Sequence, residues 1–153
     1  MIVLGIDPGT ATVGYALATG TKIKPEVLTF GVIKTSSKTP MNLRLAEIGQ
    51  DIYEIIKKYK PDKAVIESLF FFKNQKTVIS VAQARGVLMY VTCCEGLDLV
   101  ELTPLQIKQA ITGYGRAPKP QIQKVIQKIF NLSELPKPDD AADALGIAWC
   151  GLP

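Results

Sequence analysis

The sequence contains no histidine among its 153 residues. That absence excludes Ser-His-Asp and Cys-His catalytic triads, and any zinc site with a histidine ligand. Cysteine is nearly as scarce, since only Cys93, Cys94 and Cys150 are present and no Cys-x-x-Cys spacing occurs. An odd and sparse set of thiols argues against a disulfide scaffold. It favours reduced, buried cysteines in a cytoplasmic protein.

The sequence also lacks any apolar run long enough to cross a bilayer. The longest apolar segments lie near Val87–Cys94 and Ala144–Leu152, well short of a membrane-spanning helix. No basic region followed by an apolar stretch occurs at the N-terminus, so no secretory signal is predicted. With 47% apolar and 21% charged residues, the composition is that of an ordinary globular protein. We predict one compact domain over residues 1–153, cytoplasmic and without a membrane partner.

Acidic residues are absent from two long segments of a chain whose net charge is +4. One segment runs from Leu102 to Ser133 and the other from Ser68 to Cys94. The basic residues within them are Lys73, Lys76, Arg85, Lys108, Arg116, Lys119, Lys124 and Lys128. A polyanionic partner would explain these segments. For most of these side chains, a solvated helix face is the simpler alternative.

Apolar periodicity and turn residues predict an alternation of strands and helices. The predicted strands are Ile2–Asp7, Val13–Ala18, Val27–Thr35, Ala64–Glu67 and Leu97–Leu102. The predicted helices run from Pro40 to about Lys60, from Thr77 to Cys94, from Thr103 to Gly113, from Ile122 to Phe130 and from Asp139 to Cys150. Thr39 is predicted to cap the first helix.

This order predicts an α/β fold with one mixed five-stranded sheet flanked by helices. Strands 1–3 have short connections and are expected to form an antiparallel meander. Strands 1, 4 and 5 are expected to be parallel, because helices connect the last two. Asp7 and Glu67 would then lie side by side at the carboxyl ends of strands 1 and 4, where such sheets bind their ligands.

Four acids form the main candidate site: Asp7, Glu67, Asp140 and Asp143. Asp7 and Glu67 end apolar strands, and the other two are three residues apart on one helix face. Each also has an ordinary explanation, since Asp-Pro-Gly is a common turn, Glu67 could be an exposed strand end, and acids favour helix N-termini, where Asp139 or Asp140 would serve as a cap. Asp143 precedes an apolar run, so we expect it to be partly buried.

If these acids converge, their repulsion requires cations, and oxygen ligands suit Mg²⁺ or Mn²⁺. Metal-dependent phosphoester chemistry is the leading hypothesis.

Several motifs resemble those of one nuclease superfamily. They are Gly5-Ile6-Asp7-Pro8-Gly9-Thr10, Ile66-Glu67, Lys73-Asn74, Gln83-Ala84-Arg85-Gly86 and Asp140-Ala141-Ala142-Asp143-Ala144-Leu145. In this order, and spread over essentially the whole chain, they resemble the RNase H-like nucleases. Within that superfamily the sequence is most similar to the bacterial RuvC family of Holliday-junction resolvases.

The resemblance implies a structure-selective DNA endonuclease that acts in recombination and repair. Members of that family resolve four-way junctions as homodimers by paired symmetric nicks, leaving 5′-phosphate and 3′-hydroxyl ends. The resemblance implies two Mg²⁺ ions per subunit, which Mn²⁺ can replace. It also implies a branch-migration motor complex of the RuvA and RuvB type as partner, and a bacterial cytoplasmic location with nucleoid association during repair.

The resemblance also assigns roles to individual positions. It implies that Asp7, Glu67, Asp140 and Asp143 are the catalytic and metal-binding acids. Phe70 corresponds to an aromatic residue that stacks on an unpaired base, although a run of three phenylalanines is more often core. Lys108 and Lys119 correspond to basic residues near the scissile phosphate, with Lys119 also counted as catalytic. Lys73 and Arg116 complete the expected DNA-binding set. Asp139 has no counterpart in the family.

Other functions stay open at this point. The chain could be another RNase H-like nuclease that acts on RNA or on a hybrid duplex. It could be a junction-binding protein without catalysis, although four retained acids argue against this. An actin-like phosphotransferase also carries Asp-x-Gly-Thr after its first strand, but 153 residues are too few for the two lobes of such enzymes.

Overall fold

The structure, a computed structural model, describes residues 1–69 and 76–153. A five-stranded sheet with strand order β3-β2-β1-β4-β5 lies at its centre. The strands are β1 Val3–Asp7, β2 Thr12–Gly20, β3 Pro25–Lys34, β4 Lys63–Glu67 and β5 Asp98–Leu102. Neighbours among β1, β2 and β3 are antiparallel, whereas β4 is parallel to both β1 and β5. The predicted mixed sheet is therefore confirmed.

Helices cover both faces of this sheet. They are α1 Met41–Tyr59, α2 Val78–Cys94, α3 Pro104–Thr112, α4 Lys119–Ile129 and α5 Asp139–Cys150. Apolar side chains of α1 and α2 pack on one face, and those of α3, α4 and α5 pack on the other. Within the two described ranges, no helix is both long and apolar enough to cross a membrane.

The starts of two helices differ from the sequence prediction. Pro40 is the residue before α1, in extended conformation and without a side-chain cap, so the prediction that Thr39 caps this helix is wrong. Helix α4 begins at Lys119, three residues before the predicted Ile122. Pro118 precedes it and Pro120 occupies its first turn, where a missing N–H costs no hydrogen bond. The apolar periodicity begins only at Ile122, which hid the true start.

The three cysteines are free thiols, but they are less buried than the sequence predicts. Cys93 and Cys94 are exposed at the last turn of α2, so the expectation of buried thiols is wrong for both. They lie where this helix leaves the sheet, beyond its buried residues Leu88 and Thr92. Cys150 is partly buried at the end of α5, and burial raises the pKa of its thiol to about 11.

Strand alternation decides which side chains of β1 face which helices. Leu4 and Ile6 are fully buried against α1 and α2, and each burial stabilises the fold by about 1.5–3 kcal/mol. Val3 packs on the opposite layer. Because successive side chains in a strand alternate, Asp7 faces the same way as Val3, toward α5.

Two glycines allow α5 to lie directly on the sheet. A Cβ added at Gly5 would overlap the backbone of Ala144 and Ala148, and one added at Gly14 would overlap the backbone carbonyl of Asp140. Gly14 is also the β2 partner of Asp7 in the antiparallel register. The missing side chain therefore brings the start of α5 close to the end of β1.

We predict that Gly14→Ala lowers the free energy of unfolding by about 1–3 kcal/mol, because backbone atoms cannot move aside as a side chain can. Urea denaturation would measure this loss. Gly49→Ala is the matched control, since its nearest neighbour is the side-chain atom Val87 Cγ1 at 3.1 Å. Alanine also favours a helix over glycine by about 1 kcal/mol, so this variant should stay near the parent. Equal losses in both variants would contradict the assignment.

Candidate active site

Asp7 and Glu67 lie at the carboxyl ends of neighbouring parallel strands. The β1–β4 register pairs Ile6 with Ile66, so the two acids that follow are adjacent. In β4, Val65 packs on the α5 side of the sheet, and Glu67 follows two residues later with the same orientation. The predicted convergence of these two acids is confirmed by the strand pairing.

Helix α5 brings further acids to this edge. Asp139 and Asp140 lie in its first turn, and Asp143 lies one turn later. Pro138 is the residue before the helix and no side chain caps it, so the alternative in which Asp139 or Asp140 caps the helix is wrong. The side chain of Asp143 is 32% exposed, which confirms the expectation that it is partly buried. The acids still benefit from the positive end of the helix dipole.

The electrostatics of Asp7 show that the four acids are close together. Burial raises the pKa of Asp7 from its ordinary 3.8 to about 8, and the charges of Glu67, Asp143 and Asp140 contribute to this rise in that order. The charge of Lys119 lowers the pKa of Asp7, but by less than burial and the three acids raise it. A carboxylate at this position is therefore strongly disfavoured unless positive charge is added.

Lys119 is the cation that pairs with the α5 acids. Its Nζ lies 3.1 Å from a carboxylate oxygen of Asp143 and 3.4 Å from one of Asp139. Burial alone would lower the pKa of Lys119, but Asp143 and Asp139 outweigh it and the pKa rises. Burial raises the pKa of Asp143 and Lys119 lowers it, and with the charges of Asp140 and Asp139 the net change is a rise. One lysine thus offsets only part of the negative charge.

A cleft of about 470 Å³ opens beside these residues. Its charged lining residues are Asp7, Glu67, Asp143, Lys108, Arg116 and Lys119. Its apolar wall consists of isoleucines from α3, α4 and α5, namely Ile107, Ile111, Ile122, Ile126 and Ile147. Asp140 is outside this lining set, although its charge acts on Asp7. The apolar wall contributes to the burial that raises the pKa of Asp7 and of Asp143.

Arg85 is one of the basic residues in the segment from Ser68 to Cys94 that lacks acids. In the structure its Nε donates to the main-chain carbonyl of Glu67 at 3.3 Å, and its guanidinium forms an ion pair with Glu101. Arg85 therefore connects α2, β4 and β5 just behind the Glu67 position. No local sequence pattern could reveal this, because the two partners are 18 and 16 residues away in the chain.

The donor chemistry of this site suits a divalent cation. Carboxylate oxygens are the ligands that Mg²⁺ and Mn²⁺ prefer, and burial and the neighbouring acids raise the pKa of Asp7, so added positive charge would favour its ionised form. In residues 1–69 and 76–153, no three acidic side chains already surround one point as metal ligands. Phe70 and Lys73, two expected DNA-binding residues, lie outside the described residues.

The chain matches one protein family over almost its full length. The family described as crossover junction endodeoxyribonuclease RuvC matches residues 3–151. A protein of that name from Syntrophomonas wolfei is 48% identical over 152 residues, covering 99% of this chain and 88% of the relative. Another from Fusobacterium nucleatum is 52% identical over 147 residues, covering 96% and 77%.

Solved structures agree with the sequence matches. Thermus thermophilus RuvC in complex with a Holliday junction substrate is 31% identical, with a TM-score of 0.91 over 97% of this chain and 91% of the other. The yeast mitochondrial Holliday junction resolvase Ydc2 is 17% identical with a TM-score of 0.66, covering 96% of this chain and 78% of the other, and shows the shared fold alone. The chain belongs to the RuvC family of crossover junction endodeoxyribonucleases.

Proposed function

We propose that this protein resolves four-way DNA junctions by paired symmetric nicks. The observation that carries the proposal is the convergence of Asp7, Glu67, Asp140 and Asp143 at one sheet edge, beside a cleft lined by basic side chains. Hydrolysis of a phosphodiester requires both the acids and the basic side chains. The acids bind cations, and the cations and basic side chains together neutralise the charge of the phosphate where the bond is hydrolysed. The family match supports a junction as the substrate in preference to RNA or a hybrid duplex.

The acids are proposed to bind two divalent cations. When bound, Mg²⁺ ions supply the Lewis acidity that activates water and stabilises the leaving 3′ oxygen. Asp7 is the central ligand in this proposal, because its pKa responds to the other three acids. Glu67 is adjacent to it on β4, and Arg85 fixes the backbone there. Manganese can take the same oxygen ligands.

The basic side chains are proposed to position the scissile phosphate. Lys119 lies between the cleft and the α5 acids, where it can neutralise charge that develops on the phosphoryl oxygens. Lys108 and Arg116 line the same cleft and are proposed to bind the DNA backbone. Asp139 shares Lys119 with Asp143, so it holds the lysine near the site in the absence of DNA.

We predict that Asp7→Asn lowers cleavage of a synthetic junction on the order of 10³-fold or more, since the amide is a poor ligand for Mg²⁺. Junction binding should persist, because the amide adds no repulsion of phosphate. Denaturing gels with each strand labelled in turn would measure cleavage, and a mobility shift would measure binding.

The control for this prediction is Asp51→Asn, which neutralises an exposed acid of α1 outside the cleft. It should cleave like the parent and nick opposed strands at matching positions. Full cleavage by Asp7→Asn would overturn the assignment of this acid. Cleavage of a hybrid duplex in preference to the junction would favour a different nuclease activity.

We also predict that ionised Asp7 destabilises the metal-free protein. A carboxyl with a higher pKa in the folded state binds its proton more tightly there, so stability is present at low pH and is lost as pH rises from about 4 to about 8. The asparagine side chain of the Asp7→Asn variant stays neutral throughout. In chelator at pH 8, this variant should therefore be more stable than the parent by roughly 1–3 kcal/mol, with little difference at pH 4. Urea titrations at both pH values would measure the free energy of unfolding of variant and parent. The same difference between them at pH 4 and at pH 8 would contradict the prediction.

A homodimer is proposed through the outer face of α2. This helix is rich in apolar residues, and two of them lie largely in solvent, since Ile79 is 72% exposed and Tyr90 is 71% exposed. Ala82 and Gly86 lie between them on the same exposed face. Apolar surface of this kind with small residues permits close contact with another helix. A second copy would present a second site, matching the two-fold symmetry of a four-way junction.

Tyr90→Lys is predicted to convert this dimer to a monomer, since it buries a charge in the apolar contact. Sedimentation equilibrium would measure the change in mass. Ile23→Lys is the control, because Ile23 is 90% exposed in the turn between β2 and β3. A parent that sediments as a monomer at micromolar concentration would refute the dimer.

The remaining expectations rest on the family. We propose that Phe70 stacks on a junction base and that Lys73 binds backbone beside it. We propose that residues 1–153 are one nuclease domain, which a RuvA and RuvB type motor complex brings to junctions. DNA as the substrate supports a cytoplasmic, nucleoid-associated location.

A further inference from the structure

Arg44 is a buried cation that has no acidic partner in the described part of the chain. The residue is 9% exposed, and its Nε donates to the hydroxyl of Thr35 at 2.8 Å. Across residues 1–69 and 76–153, no carboxylate forms an ion pair with it. Arginine is rarely buried without an anion, because an isolated buried charge is costly. The structure therefore leaves a positive charge that an external anion could neutralise.

Arg44 is connected to the loop that follows Asp7. The Thr35 hydroxyl that accepts from Arg44 donates in turn to the Thr10 carbonyl at 2.6 Å. The main-chain N–H of Thr35 donates to the carbonyl of Ala11 at 3.1 Å. The hydroxyl of Thr10 is buried without a hydrogen-bond partner among the described residues. Two polar groups are thus incompletely satisfied at one place, close to the catalytic end of β1.

The N-terminus of α1 adds positive potential at the same place. This 19-residue helix has no acid in its first turn and no side-chain cap at Pro40. The N–H groups of Leu43 and Arg44 donate to the Pro40 carbonyl, whereas those of Met41 and Asn42 make no hydrogen bond among the described residues. The helix dipole is positive at this end. The side chain of Arg44 extends toward that end, as long helical side chains do. Of the side-chain nitrogens of Arg44, only Nε donates a hydrogen bond among the described residues, so the two terminal nitrogens remain available as donors.

Thr35, the hydrogen-bond partner of Arg44, follows β3 at the same edge of the sheet that carries the acids. Thr12 pairs with Lys34 at the same end of β2 where Gly14 pairs with Asp7. Helix α1 covers one face of the sheet, whereas Lys108 and Lys119 belong to helices on the other face. A DNA strand that crosses this edge would meet cations on both sides of the acid cluster.

We propose that Arg44, the N-terminus of α1 and the preceding Lys38 bind a phosphate of the junction strand close to the scissile one. The inference rests on the proposed function, because it assigns a second contact for the same DNA. Arg44 suits the task because its planar guanidinium binds phosphate oxygens in pairs. Bound phosphate would also press Arg44 onto Thr35 and so hold the loop after Asp7 in place.

The test measures junction affinity against salt concentration in an Asp7→Asn background, where cleavage is blocked. Arg44→Gln should weaken binding about tenfold and reduce the slope of log affinity against log salt by about one, as loss of one phosphate contact requires. Arg44→Lys keeps the charge and should recover the slope with part of the affinity. Lys24→Gln is the control, since this exposed lysine lies in the turn between β2 and β3, at the opposite end of β2, and should change neither quantity.

Lys38→Gln keeps the proposal testable if Arg44→Gln fails to fold, because Lys38 is exposed and its loss costs little stability. It should also reduce the salt slope, by up to about one. A folded Arg44→Gln variant with the parent's affinity and slope would overturn the inference and leave Arg44 with a structural role alone. The same holds for an unchanged Lys38→Gln variant if Arg44→Gln is unfolded. A parent that does not bind the junction would instead overturn the proposed function.

Discussion

The mutual repulsion of buried carboxylates is the constraint on which the rest of this structure depends. Asp7 has a pKa of about 8 because burial and three neighbouring acids all oppose its charge. A fold that places such a group at its centre must restrain it from several directions. The sheet fixes Asp7 beside Glu67, and α5 brings Asp143 with Lys119 in contact. The unfavourable negative charge is thereby kept at one place, where added positive charge would relieve it.

The backbone supplies this restraint more than the side chains do. Strand alternation turns Asp7 and Glu67 toward α5, and the antiparallel register places Gly14 opposite Asp7. The missing Cβ of Gly14 lets the Asp140 backbone lie against β2. Arg85 then fixes the Glu67 carbonyl and pairs with an acid on β5. Each contact joins elements that are distant in sequence. Together they hold the ends of the strands and the start of α5 in fixed positions at one edge of the sheet.

The sequence predicted those parts of the site that local patterns encode. Asp7 and Glu67 end recognisable apolar strands, and an α/β order of elements places such ends together. The start of α4 was missed because two prolines around Lys119 are typical of a loop. Proline is also favoured in the first turn of a helix. The partners of Arg85 and Arg44 were not predictable, since they depend on contacts across separate elements. No periodicity identifies which buried cation lacks an acid.

The distribution of cations is consistent with a site that functions only when it is filled. Lys119 is occupied by Asp143 and Asp139 in the free protein, while Arg44 has only a hydroxyl partner among the described residues. Without a cation the acids repel one another, and within residues 1–69 and 76–153 no carboxylate forms an ion pair with Arg44. In the proposed complex, divalent ions would neutralise the acids and a DNA phosphate would neutralise Arg44. Binding of one should therefore strengthen binding of the other, because each removes a charge that the described residues leave unbalanced.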